Sequence, residues 1–174
     1  MSMIQNSSDE LFQNKQSGIY NKDFFFEAGK IIVQLAKRNQ VPTLVALVDI
    51  DDFEILNTSY GTATGEKILE LTTELIMDRC RSSDLIAFIG DGKVGLIFYN
   101  ITSTDAKTTL ESLRETVSNN EYFINDEKKQ ITVSIGGTIM HSRTNSGGLE
   151  ALYDQAIIAV EAVRRKGSNG VMVY

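Results

Sequence analysis

Residues 43–69 read TLVALVDIDDFEILNTSYGTATGEKIL, and this stretch decides the fold. Its first part, residues 43–50, is a continuous run of apolar and branched side chains, which predicts a β-strand buried on both faces. Residues 63–79 carry apolar side chains at helical spacing, which predicts an amphipathic helix. Three aspartates stand where the strand ends: Asp49, Asp51 and Asp52. A buried strand, an acidic loop and a helix in this order form the start of a βαβ pattern.

The segments on either side extend this pattern. Apolar periodicity and turn signals predict further helices at 22–39, 104–118 and 148–166, and further strands at 85–89, 94–100, 130–140 and 170–174. The dipeptide Asp91-Gly92 between two apolar runs is a strong hairpin signal. We also expect residues 122–125 to pair with the strand at 130–140 across a turn at 126–129. The resulting order contains a split βαβ pattern, which predicts an antiparallel-rich sheet with helices on one or both faces.

The composition is that of an ordinary globular domain. The chain has 174 residues, 42% of them hydrophobic, and a formal net charge of −6, which argues against a nucleic-acid or anionic-membrane binder because phosphate attraction needs a positive field. Cys80 is the single cysteine of the sequence, which excludes a disulfide framework and a cysteine-based zinc cluster. No apolar run approaches the roughly 18 residues of a membrane span. With no secretory signal pattern, we expect a cytoplasmic domain without membrane contact.

One domain accounts for most of the chain. Residues 1–16 are polar, and we expect either a frayed lead-in or a helix that continues from an upstream segment. A turn signal at 17–21 follows, and no repeat or linker comes after it. Residues 17–174 are therefore predicted to form a single domain.

The acidic loop and the helix after it resemble the signature of GGDEF domains, the diguanylate cyclases of bacteria. That signature reads Asp-x-Asp-x-Phe-Lys-x-(apolar)-Asn-Asp-x-x-Gly-His-x-x-Gly-Asp. Six of its positions are matched here: Asp49, Asp51, Phe53, Asn57, Gly61 and Gly65. Three further segments resemble family segments in the same order: SGIYNKDFF (17–25), VSIGG (133–137) and AIIAVEAVRRKGSNGV (156–171). The pieces are weak separately, but their order and spacing are specific, and the chain is identified as a member of this family.

The resemblance implies both a fold and an activity. The family fold is α+β, a ferredoxin-like palm of the nucleotidyl cyclase type, in which helices flank a central, mostly antiparallel sheet with a split βαβ core. Family members condense two GTP molecules into cyclic di-GMP, and each of two subunits presents one GTP. This is a phosphoryl-type transfer, in which catalysis depends on positioning and on charge stabilisation by metal ions.

The residues that name the family are altered in this chain. The family hairpin Gly-Gly-Asp/Glu-Glu-Phe is replaced here by Gly90, Asp91, Gly92, Lys93 and Val94. Gly92 offers no ligand atom where the family has a metal-binding acid, and Lys93 reverses the sign of the next acid. Asp49 is the one metal acid that is left, and a single carboxylate beside a lysine is expected to bind Mg²⁺ poorly. The resemblance therefore implies a degenerate member with no intact catalytic residues and no cyclase activity.

Glu54 changes the charge of the same site. It stands where the family has a lysine that contacts phosphate, so its carboxylate would repel a triphosphate. Because Glu54 and Lys93 reverse the usual charges at two places in one crevice, we expect their side chains to approach each other and partly fill the nucleotide site. Arg164 aligns with a family lysine that contacts phosphate, which is a minor argument for residual anion binding.

Two remnants match family positions that recognise guanine, Asn57 and Glu66. An amide and a carboxylate can pair with the guanine edge, so weak GTP binding is one interpretation. The alternative is local: Asn57 caps the turn into the next helix, and Glu66 is a first-turn acid favoured by the helix dipole.

A further remnant is Arg81-Ser82-Ser83-Asp84, which has the spacing of the family's inhibitory Arg-x-x-Asp site. In the family, the arginine pairs with a guanine and a phosphate of cyclic di-GMP, and the aspartate accepts from a guanine. Arginine suits this role because its planar guanidinium binds bidentately and stacks. A second arginine usually helps, and Arg114 is the candidate. The alternative is a surface ion pair of small energetic value.

Three functions remain open on these residues. The first is an inactive GGDEF domain that acts as a cyclic di-GMP receptor through Arg81 and Asp84. The second is a nucleotide-free regulatory domain that forms a homodimer or contacts a fused or separate signalling domain. The third, which Gly92, Lys93 and Glu54 disfavour, is a residual diguanylate cyclase. No cofactor is expected to be required, and Mg²⁺ is expected only together with residual GTP binding.

Overall fold

A computed structural model describes residues 19–141 and 147–174 of the chain. The prediction for residues 1–16, and the first two positions of the turn at 17–21, lie outside the described residues. In chain order the helices are α1 (Lys22–Asn39), α2 (Phe53–Tyr60), α3 (Thr62–Met77), α4 (Ser103–Asn119) and α5 (Leu149–Arg165). The strands are β1 (Thr43–Ile50), β2 (Leu85–Gly90), β3 (Lys93–Tyr99), β4 (Tyr122–Ile124), β5 (Glu127–Lys129), β6 (Val133–Met140) and β7 (Val171–Val173).

Five strands form the main sheet in the order β2-β3-β1-β6-β7. The pairs β2–β3, β3–β1 and β1–β6 are antiparallel, and β7 is added parallel to β6. The first four strands have the order of the split βαβ unit, with two crossovers that place β1 and β3 side by side. The predicted α+β fold with a mostly antiparallel sheet is therefore confirmed.

Strand β1 is the central strand of the main sheet, and every one of its residues is buried. Its alternate side chains point to two different cores. Leu44 and Val48 join the core that packs under α3 and α4, whereas Val45 joins the core under α1. Leu47 packs with Ala156 of α5 on that second face. A strand buried on both faces explains why its sequence is apolar without alternation.

The structure differs from the predicted elements in two places. Residues 53–60, for which no element was predicted, form the helix α2, and a glycine, Gly61, separates it from α3. Residues 122–124 pair with residues 127–129 in a separate two-stranded sheet, not with β6 as expected. The turn between them is at Asn125 and Asp126, and both residues have positive φ. No helix in the described part of the chain is long and apolar enough to cross a membrane.

Candidate functional site

The candidate site is a crevice at the carboxyl end of β1. It is bounded by α2 on one side, by the β2–β3 turn on another, and by the end of α5, and its volume is about 600 Å³. Asp49 lies at its floor, in register with Lys93 on β3 and with Ser134 on β6. The sheet pairing therefore brings together two residues, Asp49 and Lys93, that the sequence singled out separately.

The β2–β3 turn has the geometry of a tight hairpin. Gly90 and Lys93 are paired, so Asp91 and Gly92 form a two-residue loop. Their φ angles are 51° and 74°, and positive values at both positions are what a type I′ turn requires. Glycine adopts such angles without strain, and aspartate is among the residues that tolerate them best. The altered sequence thus keeps the hairpin while it loses the family's acids.

Gly92 is also fixed by its neighbour across the crevice. A Cβ atom at this position would lie 2.4 Å from Cγ and 2.6 Å from Cδ1 of Phe53. The aromatic ring therefore occupies the space that a side chain at position 92 would need. The position that carries a metal-binding acid in the family has neither a ligand atom nor the room for one here.

Asp49 is buried and is paired within the chain. Its side chain is 3% exposed, and its Oδ2 lies 3.3 Å from Nη1 of Arg164 at the end of α5. Burial raises the pKa of Asp49 above its usual 3.8, while the positive charges of Lys93 and Arg164 act in the opposite direction. A carboxylate that is desolvated and lies beside the positive charges of Lys93 and Arg164 is a poor ligand for a divalent metal ion.

The residues present do not fit the Mg²⁺ ions that the family resemblance implies. Within residues 19–141 and 147–174, no three histidine, cysteine, aspartate or glutamate side chains come close enough together to hold a metal ion. Lys93 donates from Nζ to the backbone oxygen of Asp91 at 3.3 Å and so extends over the same side of the crevice. Mg²⁺ in phosphate-handling sites is bound through one or two carboxylates together with the substrate phosphates. Here Asp49 is already paired with Arg164 beside Lys93. The other carboxylates that line the crevice, those of Asp52, Glu54 and Asp91, do not gather with it into a metal-binding group.

The expected contact between the side chains of Glu54 and Lys93 is not formed. Both residues line the crevice, but the described residues contain no ion pair between them within 4.0 Å. The crevice between them stays open. Arg164 rather than Glu54 supplies the ion pair at this site, and it pairs with Asp49.

Asp51 has a role that the sequence reasoning missed. Its Oδ1 accepts from Ser134 Oγ at 2.6 Å, and its Oδ2 accepts from Thr132 Oγ1 at 2.7 Å and from the backbone N–H of Asn169 at 3.0 Å. These bonds join the end of β1 to β6 and to the turn before β7. The family signature marked Asp51 as a matched position, but its partners are distant in the sequence and carried no local signal.

Asn57 and Glu66 line a pocket that adjoins the crevice and has a volume of about 490 Å³. The Asn57 amide rests on α3, where a Cβ atom at Gly65 would lie 1.7 Å from its Oδ1. That oxygen is buried and has no hydrogen-bond partner among the described residues. The capping alternative does not describe it, because Gly61 is the N-cap of α3 and no side chain caps this helix. Glu66 lies beyond the first turn, which contains no acid.

Arg81 and Asp84 form a local turn before β2, at the opposite end of β2 from the crevice. The backbone N–H of Arg81 donates to Asp84 Oδ2 at 2.7 Å, and the N–H of Asp84 donates to the Arg81 oxygen at 3.0 Å. Burial raises the pKa of Asp84, and the bond and charge of Arg81 oppose that rise. The guanidinium of Arg81 is exposed and makes no ion pair within the described ranges. The turn thus fixes the aspartate and leaves the arginine head accessible.

Arg114 is not brought to this turn. Its guanidinium donates to Glu111 Oε2 at 2.8 Å and to Asn169 Oδ1 at 2.9 Å. Asn169 precedes β7, whereas Arg81 precedes β2, and these two strands are opposite edges of the sheet. Four strand spacings separate the edges, roughly 19 Å. The sequence could not show this, because it fixes the order of elements along the chain but not the order of strands in the sheet.

The comparison with known proteins agrees with this geometry. Residues 13–170 match the family described as "Diguanylate cyclase, GGDEF domain". The chain is 28% identical over 162 residues to the probable diguanylate cyclase DgcT of Escherichia coli K12, an alignment that covers 90% of this chain and 34% of that protein. It is 24% identical over 169 residues to the diguanylate cyclase DosC of the same organism, covering 97% and 36%. The chain thus spans about a third of the length of these curated relatives.

Solved structures share the fold. The coiled coil and GGDEF domain of DgcB from Caulobacter crescentus, in complex with cyclic di-GMP, superposes with a TM-score of 0.89 at 21% identity, covering 98% of this chain and 89% of that one. The FimX GGDEF domain from Pseudomonas aeruginosa gives a TM-score of 0.83 at 22% identity, covering 93% and 98%. These neighbours confirm the predicted palm.

Proposed function

This chain belongs to the GGDEF domain family, and on that premise we propose that it is a catalytically inactive signalling domain of a bacterial cyclic di-GMP pathway, acting in the cytoplasm. It requires no metal cofactor for this role. Its output is a regulated contact with a second copy or with another signalling domain, in place of a chemical product.

The observation that carries this proposal is the charge arrangement around Asp49. Two-metal phosphoryl transfer needs acids that hold the ions against the reacting oxygens. At this crevice Arg164 pairs with Asp49, Lys93 stands beside it, and Gly92 has its side-chain space filled by Phe53. Loss of metal stabilisation removes many orders of magnitude in rate, so the crevice keeps the family's shape without its chemistry.

A cyclase assay tests this proposal. The 174-residue chain is incubated with GTP and either Mg²⁺ or Mn²⁺, and cyclic di-GMP is measured by mass-resolved chromatography, with DosC of Escherichia coli assayed in parallel. We expect product from DosC and none from this chain. Product that forms with this chain and disappears in the Asp49→Ala variant would show an active site and contradict the proposal.

Cyclic di-GMP recognition at Arg81 and Asp84 is the second function that a specific observation favours. The Arg81–Asp84 turn holds one carboxylate oxygen by a backbone N–H and leaves the guanidinium exposed. A fixed acceptor beside an accessible planar cation suits a guanine edge and a phosphate. Arg114 is not part of this proposed site, because it is engaged with Glu111 and Asn169 on the far edge of the sheet.

Calorimetric titration with cyclic di-GMP separates a receptor from a nucleotide-free domain. We expect binding that Arg81→Ala abolishes. Two matched controls are available: Arg79→Ala removes an exposed arginine two positions earlier, and Arg114→Ala removes the distant one, and both are expected to keep binding. No heat with cyclic di-GMP, and none with GTP plus Mg²⁺, would favour the nucleotide-free regulatory domain.

A further inference from the structure

Helix α1 has more apolar surface than its own domain covers. One row of its side chains faces the core and is buried: Phe25, Gly29, Val33 and Ala36. A surface helix normally has one such row and a polar opposite face. Helix α1 has a second apolar row, formed by Ala28, Ile31 and Leu35, which we call the outer row.

Two residues of the outer row, Ile31 and Leu35, are exposed to solvent, whereas Ala28 is half-buried and packs against the core under α1. Ala28, Ile31 and Leu35 follow the i, i+3, i+7 pattern that puts side chains on one line along a helix. Ile31 is 61% exposed and Leu35 is 45% exposed. An isolated exposed leucine needs no explanation, but two large aliphatic side chains aligned on one helix face form a patch.

The neighbouring helix cannot cover this row, because it contacts the other side of α1. Lys30 pairs with Glu150 of α5 at 3.2 Å, and Lys37 donates to the backbone oxygen of Gly147 before α5. Lys30 and Lys37 project from the flank of α1 that faces α5, whereas the outer row projects from the flank beside the edge strand β2. The side chains of Ile31 and Leu35 therefore point away from the described part of the domain.

Charged side chains border the outer row in a pattern that complements itself. Glu27 stands near the start of α1 and Arg38 near its end, about three helical turns apart and on the same flank. Neither side chain makes an ion pair within 4.0 Å to any described residue. If two copies of α1 lie antiparallel, each Glu27 meets an Arg38 of the other copy, because same-flank residues face each other in that arrangement.

We propose that the outer row is a homodimer surface, on which α1 of a second copy packs antiparallel about a two-fold axis. Ile31 then lies against Leu35 of the second copy, and the two-fold repeats the contact. The same register brings Glu27 opposite Arg38, so the apolar and the charged contacts agree on one alignment.

This dimer is a weak one in the isolated chain. A single helix pair buries less than the roughly 1,200 Å² that separates transient from standard interfaces. Such an interface forms at high concentration and becomes effective where another segment holds two copies together, since linkage raises the effective concentration. The proposal concerns assembly and does not depend on nucleotide binding at the crevice or at Arg81.

Sedimentation equilibrium of the 174-residue chain, from low micromolar to high micromolar concentration, tests the proposal. We expect a monomer–dimer equilibrium whose dissociation constant rises at least about tenfold in Ile31→Lys. The matched control is Ile158→Lys, which changes an exposed isoleucine of α5 and is expected to leave the equilibrium unchanged. Circular dichroism confirms that both variants keep the wild-type fold.

Charge reversal tests the antiparallel register separately. Glu27→Lys and Arg38→Glu are each expected to weaken the dimer at least about threefold, and the double variant is expected to restore it, because the reversed pair attracts again. A chain that stays monomeric over the whole range overturns the proposal. A dimer that resists Ile31→Lys, or one that the double variant fails to restore, overturns it as well.

Discussion

Arg164 and Asp49 form an ion pair in which the two partners differ in burial. The arginine side chain is 45% exposed, whereas the aspartate side chain is 3% exposed. The pair joins the last turn of α5 to the end of β1 across the crevice. Removing one partner is therefore not equivalent to removing the other. Loss of the arginine leaves a buried charge with less compensation, whereas loss of the aspartate leaves an arginine that water can solvate.

Arg164→Met is expected to destabilise the protein by about 1–3 kcal/mol at pH 7, because Lys93 compensates the buried charge only in part. The loss depends on pH. Burial already raises the pKa of Asp49 above 3.8, and removing the Arg164 cation raises this pKa further. Below pH 3.8 the Asp49 carboxyl is protonated in the wild type and in the variant, so the two have the same stability. The destabilisation by Arg164→Met appears as pH rises through the raised pKa and the carboxyl ionises. Denaturant unfolding at pH 4 and pH 7 measures this difference. Arg165→Met, an exposed neighbour, is the control and is expected to have little effect at either pH.

Asp49→Asn, in contrast to Arg164→Met, is not expected to lower the free energy of unfolding at pH 7. The folded-state pKa of Asp49 is raised, so the folded protein binds this proton more tightly than the unfolded chain does. The stability that the folded protein gains from this tighter proton binding is fully present below pH 3.8 and is lost as pH rises through the raised pKa of Asp49. Asparagine carries no charge to desolvate, so the variant is expected to match the wild type at low pH and to equal or exceed its stability at pH 7. A variant clearly less stable than the wild type at pH 7 would show that the ion pair is net stabilising.

Restoring the family acid at position 92 is expected to fail. Gly92 has a φ of 74° and lies against the Phe53 ring, so Gly92→Asp combines backbone strain with a displaced aromatic side chain and costs about 2–4 kcal/mol. The double variant Gly92→Asp with Lys93→Glu is expected to remain without cyclase activity, because the ion pair between Arg164 and Asp49 remains. Thermal unfolding and the cyclase assay measure both effects. Activity in the double variant would mean that these two residues alone account for the inactivity.

The sequence predicted most of the elements because their signals are local. The strand at 43–50 and the helix at 22–39 were predicted with the bounds that the structure gives, since a buried strand and an amphipathic helix each carry their pattern within one window. The hairpin at Asp91-Gly92 was also confirmed, because its turn residues are set by the required φ angles.

The helix that was not predicted and the strand whose pairing was predicted wrongly lack such signals. Residues 53–60 contain asparagine, threonine and serine, which have weak helix propensity, and none of the eight residues is fully buried. Packing of Phe53 and Leu56 against the core stabilises this helix. Strand β5 reads Glu-Lys-Lys, a charged sequence with low strand propensity, and pairing with β4 determines its conformation.

The contacts of the site could not be predicted because they join distant positions. Asp49 and Arg164 are far apart in the sequence and meet only once β1 and α5 are packed together. The same is true of Arg114 and Asn169. Residue types at single positions indicated a degenerate site, but strand order determines which residues meet there.

Asp51→Ala is expected to destabilise the protein by about 2–4 kcal/mol, because its carboxylate accepts three hydrogen bonds and charged acceptors contribute more than neutral ones. The loss releases Ser134, Thr132 and the Asn169 N–H together. Asp154→Ala, which removes an exposed carboxylate from α5, is the control and is expected to change stability little. Denaturant unfolding measures both. Equal effects of the two substitutions would show that the Asp51 network carries no special energy.

Gly65→Ala tests how tightly Asn57 is held against α3. In an open helical position this substitution stabilises by up to about 1 kcal/mol, because alanine has the higher helix propensity. Here the new Cβ would lie 1.7 Å from Asn57 Oδ1 and 3.4 Å from Cζ of Phe53, so we expect a destabilisation of about 1–2 kcal/mol instead.

A double-mutant cycle isolates that contact. In the Asn57→Ala background the obstructing amide is gone, and Gly65→Ala is expected to become neutral or stabilising, which gives a coupling of about 1–3 kcal/mol between the two positions. The Asn57 oxygen has no hydrogen-bond partner in the part of the chain that the structure describes, so the coupling reports packing rather than a lost bond. A stabilising Gly65→Ala in the wild-type background would show that Asn57 moves away freely. The pocket beside the crevice would then not be shaped by this contact.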